Sequence, residues 1–189
     1  MEFKKVLAAR HSVRKFQDRE IERALLDEIV EEALLAPSSR GSRSSGFMIV
    51  EDKGVLEAMA RIRDYGSGLL AGAGAAIVVL GDTTKTDLWL ENAAISATYI
   101  LLSATDKGLG SCWVHVNGRP QVKNDPLQGT AEECLRGLLG IKDHMRPLCI
   151  VALGYEEESL LCSKFLLLLR HEIFEYEKEK KPQGPESRF

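Results

Sequence analysis

Residues 75–80, Ala-Ala-Ile-Val-Val-Leu, form an unbroken apolar run closed by Gly81 and Asp82. A strand that alternates apolar and polar residues can leave one face in water, but this one has no polar face and needs cover on both. It belongs in the middle of a sheet with other layers packed on either side. Residues 86–107 read as the longest helix and are apolar around most of their circumference. Such a helix must be buried on several sides, which here means a core and a subunit interface.

The other elements fit around that centre. Ile21, Leu25, Ile29, Ala33 and Leu34 fall at helical spacing, so a helix is expected over 20–35, stopped by Ala36-Pro37. Further helices are expected over 2–9 and 53–63. Another begins at Thr130, an N-cap followed by Glu132 and Glu133, and ends at Gly140. Short β-like runs lie at 47–50, 111–116 and 149–153. The alternation predicts an α/β or α+β fold, with helices on a sheet of four or five strands. At 189 residues the chain is read as one domain over 1–177, with a disordered tail over 178–189. The apolar segment 165–169 calls for cover that a partner subunit would provide.

Composition narrows the function. With 44% hydrophobic and 28% charged residues the chain is globular, and a net charge of −3 offers no sequence-wide field for nucleic acid. Any anion site must be built locally. The first ten residues carry lysines with no apolar run after them, which argues against a secretory signal. The longest apolar stretch, 69–80, is far short of the roughly 20 residues of a membrane span. Four cysteines without a Cys-x-x-Cys pair read as scattered thiols of a reducing compartment, so a cytoplasmic location is expected and zinc is not.

Several clusters could carry chemistry, each with a plainer alternative. Arg10-His11-Ser12-Val13-Arg14 follows a helix, and in an extended segment Arg10, Ser12 and Arg14 share one side. Two guanidinium forks and a hydroxyl suit a phosphate, although a solvated turn has the same composition. Residues 36–46 form a small-residue loop whose backbone could approach a flat ligand, or which merely connects two elements. Gly66-Ser67-Gly68-Leu69-Leu70-Ala71 matches the GxGxxA dinucleotide fingerprint, but it follows a charged helix end and leads into a strand. That order is the reverse of what the fingerprint's mechanism needs, which weighs against a Rossmann site. Cys112 lies in an apolar run and reads as a buried structural thiol. Trp113 can wall a planar cofactor or fill a core. His144 and His171 sit among charges and read as surface residues.

Taken in order, these pieces resemble the nitroreductase family of flavoenzymes, its compact members in particular. Residues 10–16, Arg-His-Ser-Val-Arg-Lys-Phe, are similar to an N-terminal RxSxRxF signature, and residues 36–43 resemble an Ala-Pro-Ser loop leading to the Phe47 strand. Residues 92–110 resemble a long interface helix entering Gly110-Ser111-Cys112-Trp113. Residues 130–154 continue the likeness through Leu138-Leu139-Gly140-Ile141 and Ala152-Leu153-Gly154. The resemblance implies an α+β three-layer fold: a mostly antiparallel sheet of four to five strands flanked by helices, with a C-terminal extension reaching the partner subunit. It further implies a homodimer with FMN at the interface and NADH or NADPH as reductant. Arg10, Ser12 and Arg14 would hold the FMN phosphate and ribityl chain, with His11 beside them. Pro37, Ser38, Ser39 and Gly41 would come from the other subunit to line the isoalloxazine, and Arg43 would donate toward the flavin or its phosphate. Trp113, Val114 and His115 would lie along the ring. Ping-pong hydride transfer to nitroaromatic, quinone or other small acceptors would follow, with no obligatory side-chain acid or base. A flavin-binding storage or sensing protein with little turnover would use the same residues.

The chain departs from the family pattern at three places. Ser44-Ser45 replaces a Pro-Trp pair, and His115 stands where a small residue or an acid is usual. Glu156 replaces the proline of a Gly-Tyr-Pro turn, and Leu166 to Leu169 replace basic residues, for which Lys164 or Arg170 are candidate substitutes.

Overall fold

The structure, a computed structural model, describes residues 1–157. The apolar run becomes the long second strand of a four-stranded sheet. Strands β1 (Ser45–Val50), β2 (Ala75–Asp82), β3 (Gly110–His115) and β4 (Met145–Gly154) are ordered β1-β2-β4-β3, and every neighbouring pair is antiparallel. All eight residues of β2 are buried, as a strand without a polar face requires.

Helices cover both faces. Helices α2 (Arg23–Leu34) and α4 (Trp89–Asp106) enclose one core layer with Ile77, Val79, Val151 and Leu153. Helices α3 (Lys53–Ala60) and α5 (Ala131–Leu139) enclose the other with Ala76, Val78, Ile150 and Ala152. The alternation of β2 and β4 between the layers follows from the two-residue period of a strand. Fully buried side chains such as Ile77, Leu26 and Leu135 each contribute about 1.5–3 kcal/mol by leaving water. Helix α1 (Phe3–Ala9) packs on α4.

Element ends differ from the sequence reading where local caps decide. Helix α2 starts at Arg23, because residues 20–22 are not helical, Glu22 is extended, and Ile21 is buried beside Gly74. Thr86 takes the amide of Leu88 on its hydroxyl, so α4 begins at Trp89. The N-cap expected at Thr130 is a complete capping box with Glu133, and Gly140 closes α5 in the left-handed conformation at φ 63°. The domain limit at 177, the tail 178–189, the apolar segment 165–169, Lys164, Arg170 and His171 lie outside the described residues.

Helix α4 buries Trp89, Asn92, Ala93, Ser96, Ala97 and Ile100 but leaves Leu90, Ile95 and Tyr99 each 37% exposed. Phe3 and Leu7 of α1 and Leu34 and Leu35 at the end of α2 are exposed as well. Beside α4, Met1, Phe3, Val6, Tyr99 and Leu102 line an open apolar groove of about 390 Å³.

Candidate functional site

The segment 10–17 is fastened to one end of the sheet. Ser12 bridges to Ser111 in parallel, and the Val13 amide donates to the Ser111 carbonyl at 2.9 Å. Further along, the Gln17 amide donates to the Tyr155 carbonyl at 2.8 Å and the Glu157 amide to the Lys15 carbonyl at 3.2 Å. Two glycines let the segment lie this close. A Cβ on Gly110 would meet Val13 at 2.8 Å, and one on Gly154 would meet Phe16 at 2.6 Å. Val13 is buried, so its neighbours Ser12 and Arg14 both point outward, as alternation along an extended segment demands. Arg14 donates only a long 3.4 Å bond to the Ser12 carbonyl. Among the described residues, Arg10, Arg14 and Lys15 take part in no ion pair.

His11 is held on both sides. Its Nδ1 faces the Ala9 carbonyl at 2.9 Å and its Nε2 faces the Glu156 carboxylate at 3.0 and 3.1 Å. The hydrogen bond to Glu156, with that to Ala9, holds the imidazole above the usual histidine range, against some burial and the charge of Arg10.

The small-residue loop sits elsewhere. Asn92, 2% exposed in the first turns of α4, accepts the Ser39 amide at 2.9 Å and donates to the hydroxyls of Ser42 (3.2 Å) and Ser44 (2.9 Å). The Arg43 amide donates to Ser38 Oγ at 2.9 Å, and the Ser96 hydroxyl donates to that of Ser45 at 2.9 Å. These bonds hold a short 3₁₀ turn, Ser39–Gly41, and two residues in the left-handed region, Arg40 at φ 51° and Arg43 at φ 47°. Such a conformation costs a non-glycine residue roughly 1–2 kcal/mol, and the Asn92 network offsets it. Ser44 and Ser45, which depart from the family pattern, thus tie the loop to α4 by hydrogen bonds instead of packing. Asn92 has no role in the sequence analysis above, because α4 carries several other polar residues and the partners of Asn92 lie about fifty positions away.

Strand β3 supplies the third group, and its faces divide it. Trp113 packs with the α4 layer, and Trp113 Nε1 donates to His115 Nδ1 at 3.3 Å, with the rings 15° from parallel and 6.2 Å apart. Burial, then the charges of Arg119 and Arg63, lower the pKa of His115, consistent with a neutral ring that accepts from the indole. Arg63, 8% exposed and unremarked in the sequence, donates to the His115 carbonyl at 2.7 Å and lies over Tyr65. Val114 points the other way, 1% exposed among the residues of the α3–α5 layer. Toward a ligand on the Trp113 side it can offer only backbone. Cys112 shares that buried layer, and burial pushes its thiol up, so it is no ready nucleophile. Residues 66–71 follow helix α3 and lead through the 3₁₀ turn Gly68–Gly72 toward β2, so they lack both the strand before and the helix after that a dinucleotide fingerprint needs.

The register fixes how these clusters stand to one another. Ser45, Gly81 and Arg146 mark one end of the sheet, whereas Ser111 and Leu153 mark the other. The loop enters at β1, one edge, and Ser12 lies beside β3, the opposite edge. Strand rise and spacing put the loop and the Arg-Ser-Arg cluster roughly 30 Å apart on the diagonal. Within one chain they do not meet.

A phosphate fits the Arg-Ser-Arg end on structural grounds. Ser12 and Arg14 project from a braced segment, and the Ser111 hydroxyl beneath them is buried without a partner among the described residues. No cluster of metal-ligand type occurs among those residues.

The sequence profile of the Nitroreductase family matches residues 7–86 and 56–155. A relative from Methanothermobacter thermautotrophicus, provisionally named NADH dehydrogenase/NAD(P)H nitroreductase, is 31% identical over 84% of this chain and 80% of its own. Among solved structures, an FMN-dependent nitroreductase from Clostridium difficile is 39% identical with a TM-score of 0.76, covering 82% of this chain and 87% of its own. A structure from Parabacteroides distasonis, with the same provisional name as the Methanothermobacter protein, is 29% identical with a TM-score of 0.75, covering 92% and 99%.

Proposed function

Since this chain belongs to the nitroreductase family, we propose that it is an FMN-dependent NAD(P)H oxidoreductase that works as a homodimer with the flavin between subunits. The observation that carries the reading is the braced segment 10–17, which presents Ser12 and Arg14 outward from the sheet's end with Arg10 nearby. Two arginines and a hydroxyl there would take the FMN phosphate in charge-assisted hydrogen bonds. The distance between this cluster and the loop supports the dimer. Pro37, Ser38, Ser39 and Gly41 reach a flavin only if it is held by a second copy. The exposed apolar residues of α1 and α4 supply a face for that copy.

FMN, when bound, supplies two-electron chemistry: hydride is taken from NADH or NADPH and passed to a nitroaromatic, a quinone or another small acceptor. The chain's part is to bind and orient. Asn92 holds the loop in its strained shape, ready to line a flat ring. Trp113 gives an apolar wall, and neutral His115 narrows the space beside it without adding charge. No side chain is assigned as an obligatory acid or base; reductant and acceptor would use the same place in turn. No helix among the described residues is long and apolar enough to cross a membrane. A cytoplasmic location is part of the same proposal and rests on the unpaired cysteine pattern of the sequence.

Purified protein should be yellow and release FMN on heating. In anaerobic stopped-flow, NADH or NADPH should bleach the flavin and an acceptor should restore it. Flavin that neither nucleotide bleaches would replace this reading with storage or sensing.

A further inference from the structure

Both ring nitrogens of His11 face groups that only accept hydrogen bonds, the Ala9 carbonyl and the Glu156 carboxylate. A neutral imidazole has one N–H and can satisfy only one of them, so the arrangement calls for the doubly protonated cation. The ring is therefore not offered to a ligand. It ties the end of α1 to the residue that follows Tyr155, with the Arg-Ser-Arg cluster on either side of it. The same place is crossed by backbone bonds from Val13 to Ser111 and from Gln17 to Tyr155, and Gln17 Nε2 donates to the Glu156 carbonyl at 2.7 Å. Glu156 thus pins the segment at two points.

We propose that His11 and Glu156 form a charged latch that positions the phosphate grip, closed while His11 is protonated, and that closing it strengthens FMN binding. The proposal rests on the reading that residues 10–14 hold the FMN phosphate. The charged groups facing His11 are Glu156, two residues past β4, and Arg10 from its own segment. Thr105 at the end of α4 and Gly108 and Leu109 in the turn after it line the same small cavity, and none of them titrates. Since Glu156 raises the affinity of His11 for its proton, the latch is present at low pH and lost as pH rises through that raised midpoint. Linkage then requires reciprocity: if the proton favours FMN, FMN must favour the proton by the same factor.

The test is a histidine NMR titration of the whole protein with and without FMN, beside FMN Kd values from flavin fluorescence between about pH 6.5 and 9. The second ionisation of the FMN phosphate lies near 6, so about a quarter of it is singly charged at pH 6.5 and less than a tenth above pH 7, a background that His11→Gln reads by itself. The pair is about two-fifths exposed, with side-chain exposures of 38% and 38%, so the effect is modest. Kd should weaken by roughly threefold as His11 deprotonates, and loading FMN should raise the His11 midpoint by about half a pH unit. Glu156→Gln should lower the midpoint and move the Kd transition with it. His11→Gln should abolish the transition, leaving the weaker value throughout. Riboflavin, which lacks the phosphate, should bind without the transition. A midpoint that FMN leaves unchanged, or a Kd transition that ignores Glu156→Gln, overturns the latch. Protein that binds no FMN at any pH overturns the functional reading itself, a distinguishable failure.

Discussion

Arg14 and His115 are the side chains whose substitution or titration reads the site most directly. On the proposed function, Arg14→Ala would remove a charge-assisted phosphate contact from an exposed position, so folding should be little changed while FMN binding weakens by about 1.5–3 kcal/mol. Denaturant unfolding checks the first and equilibrium flavin titration the second. His115 carries a pH prediction of opposite sign to that of His11. With a pKa lowered by burial and by Arg119 and Arg63, its contribution to stability is present above the ordinary histidine midpoint and lost as pH falls through the lowered one. Protonation also ends its role as acceptor for Trp113. In a Trp89→Phe background, indole emission should therefore change on acidification with a midpoint below the 6.5 of free histidine. That Ser12 and Arg14 project outward together while Val13 is buried was legible because strand alternation is local. That Val114 faces away from Trp113 follows from the same alternation. Asn92 and Arg63 were not legible, since each acts on groups far away in sequence: residues 39–44 for one and His115 for the other.

At the scale of elements, the sequence revealed most where one residue type forces one geometry. The apolar run could only be a central strand, and the Thr130 capping box and Gly140 bounded α5 closely. The start of α2 was misplaced because Ile21 has the right spacing for the helix yet is buried from the non-helical approach to it. Helical period cannot tell those two modes of burial apart. Strand order was likewise hidden, for β4 inserts between β2 and β3 and nothing local encodes that choice. The close fit of segment 10–17 on β3 and β4 gives a prediction at this scale. Gly110→Ala sets a methyl 2.8 Å from Val13, so the segment must lift; about 1–3 kcal/mol of stability should be lost, and FMN binding should weaken. Adding Val13→Ala should recover part of both in denaturation and flavin titrations. No recovery would mean that Gly110 acts through something other than this contact.

At the scale of the whole molecule, the described residues present an apolar face, and the proposed function divides the flavin pocket into two half-sites. Tyr99→Glu places a charge on the exposed side of α4 and should shift sedimentation toward a monomer with loss of bound FMN. A flavin-loaded monomer would contradict the proposed assembly. The separation of the phosphate grip and the loop at opposite corners of one sheet also has a genetic consequence. If each pocket takes its grip from one chain and its loop from the other, two defective proteins can repair one another. A subunit with Arg14→Ala lacks a grip but keeps its loop; a subunit with a bulky loop change such as Ser39→Trp keeps its grip. Unfolded together in equal amounts and refolded, they should form mixed dimers in which one pocket carries both lesions and the other carries neither. Random pairing would restore about a quarter of the wild-type flavin capacity to a mixture whose separate components have little.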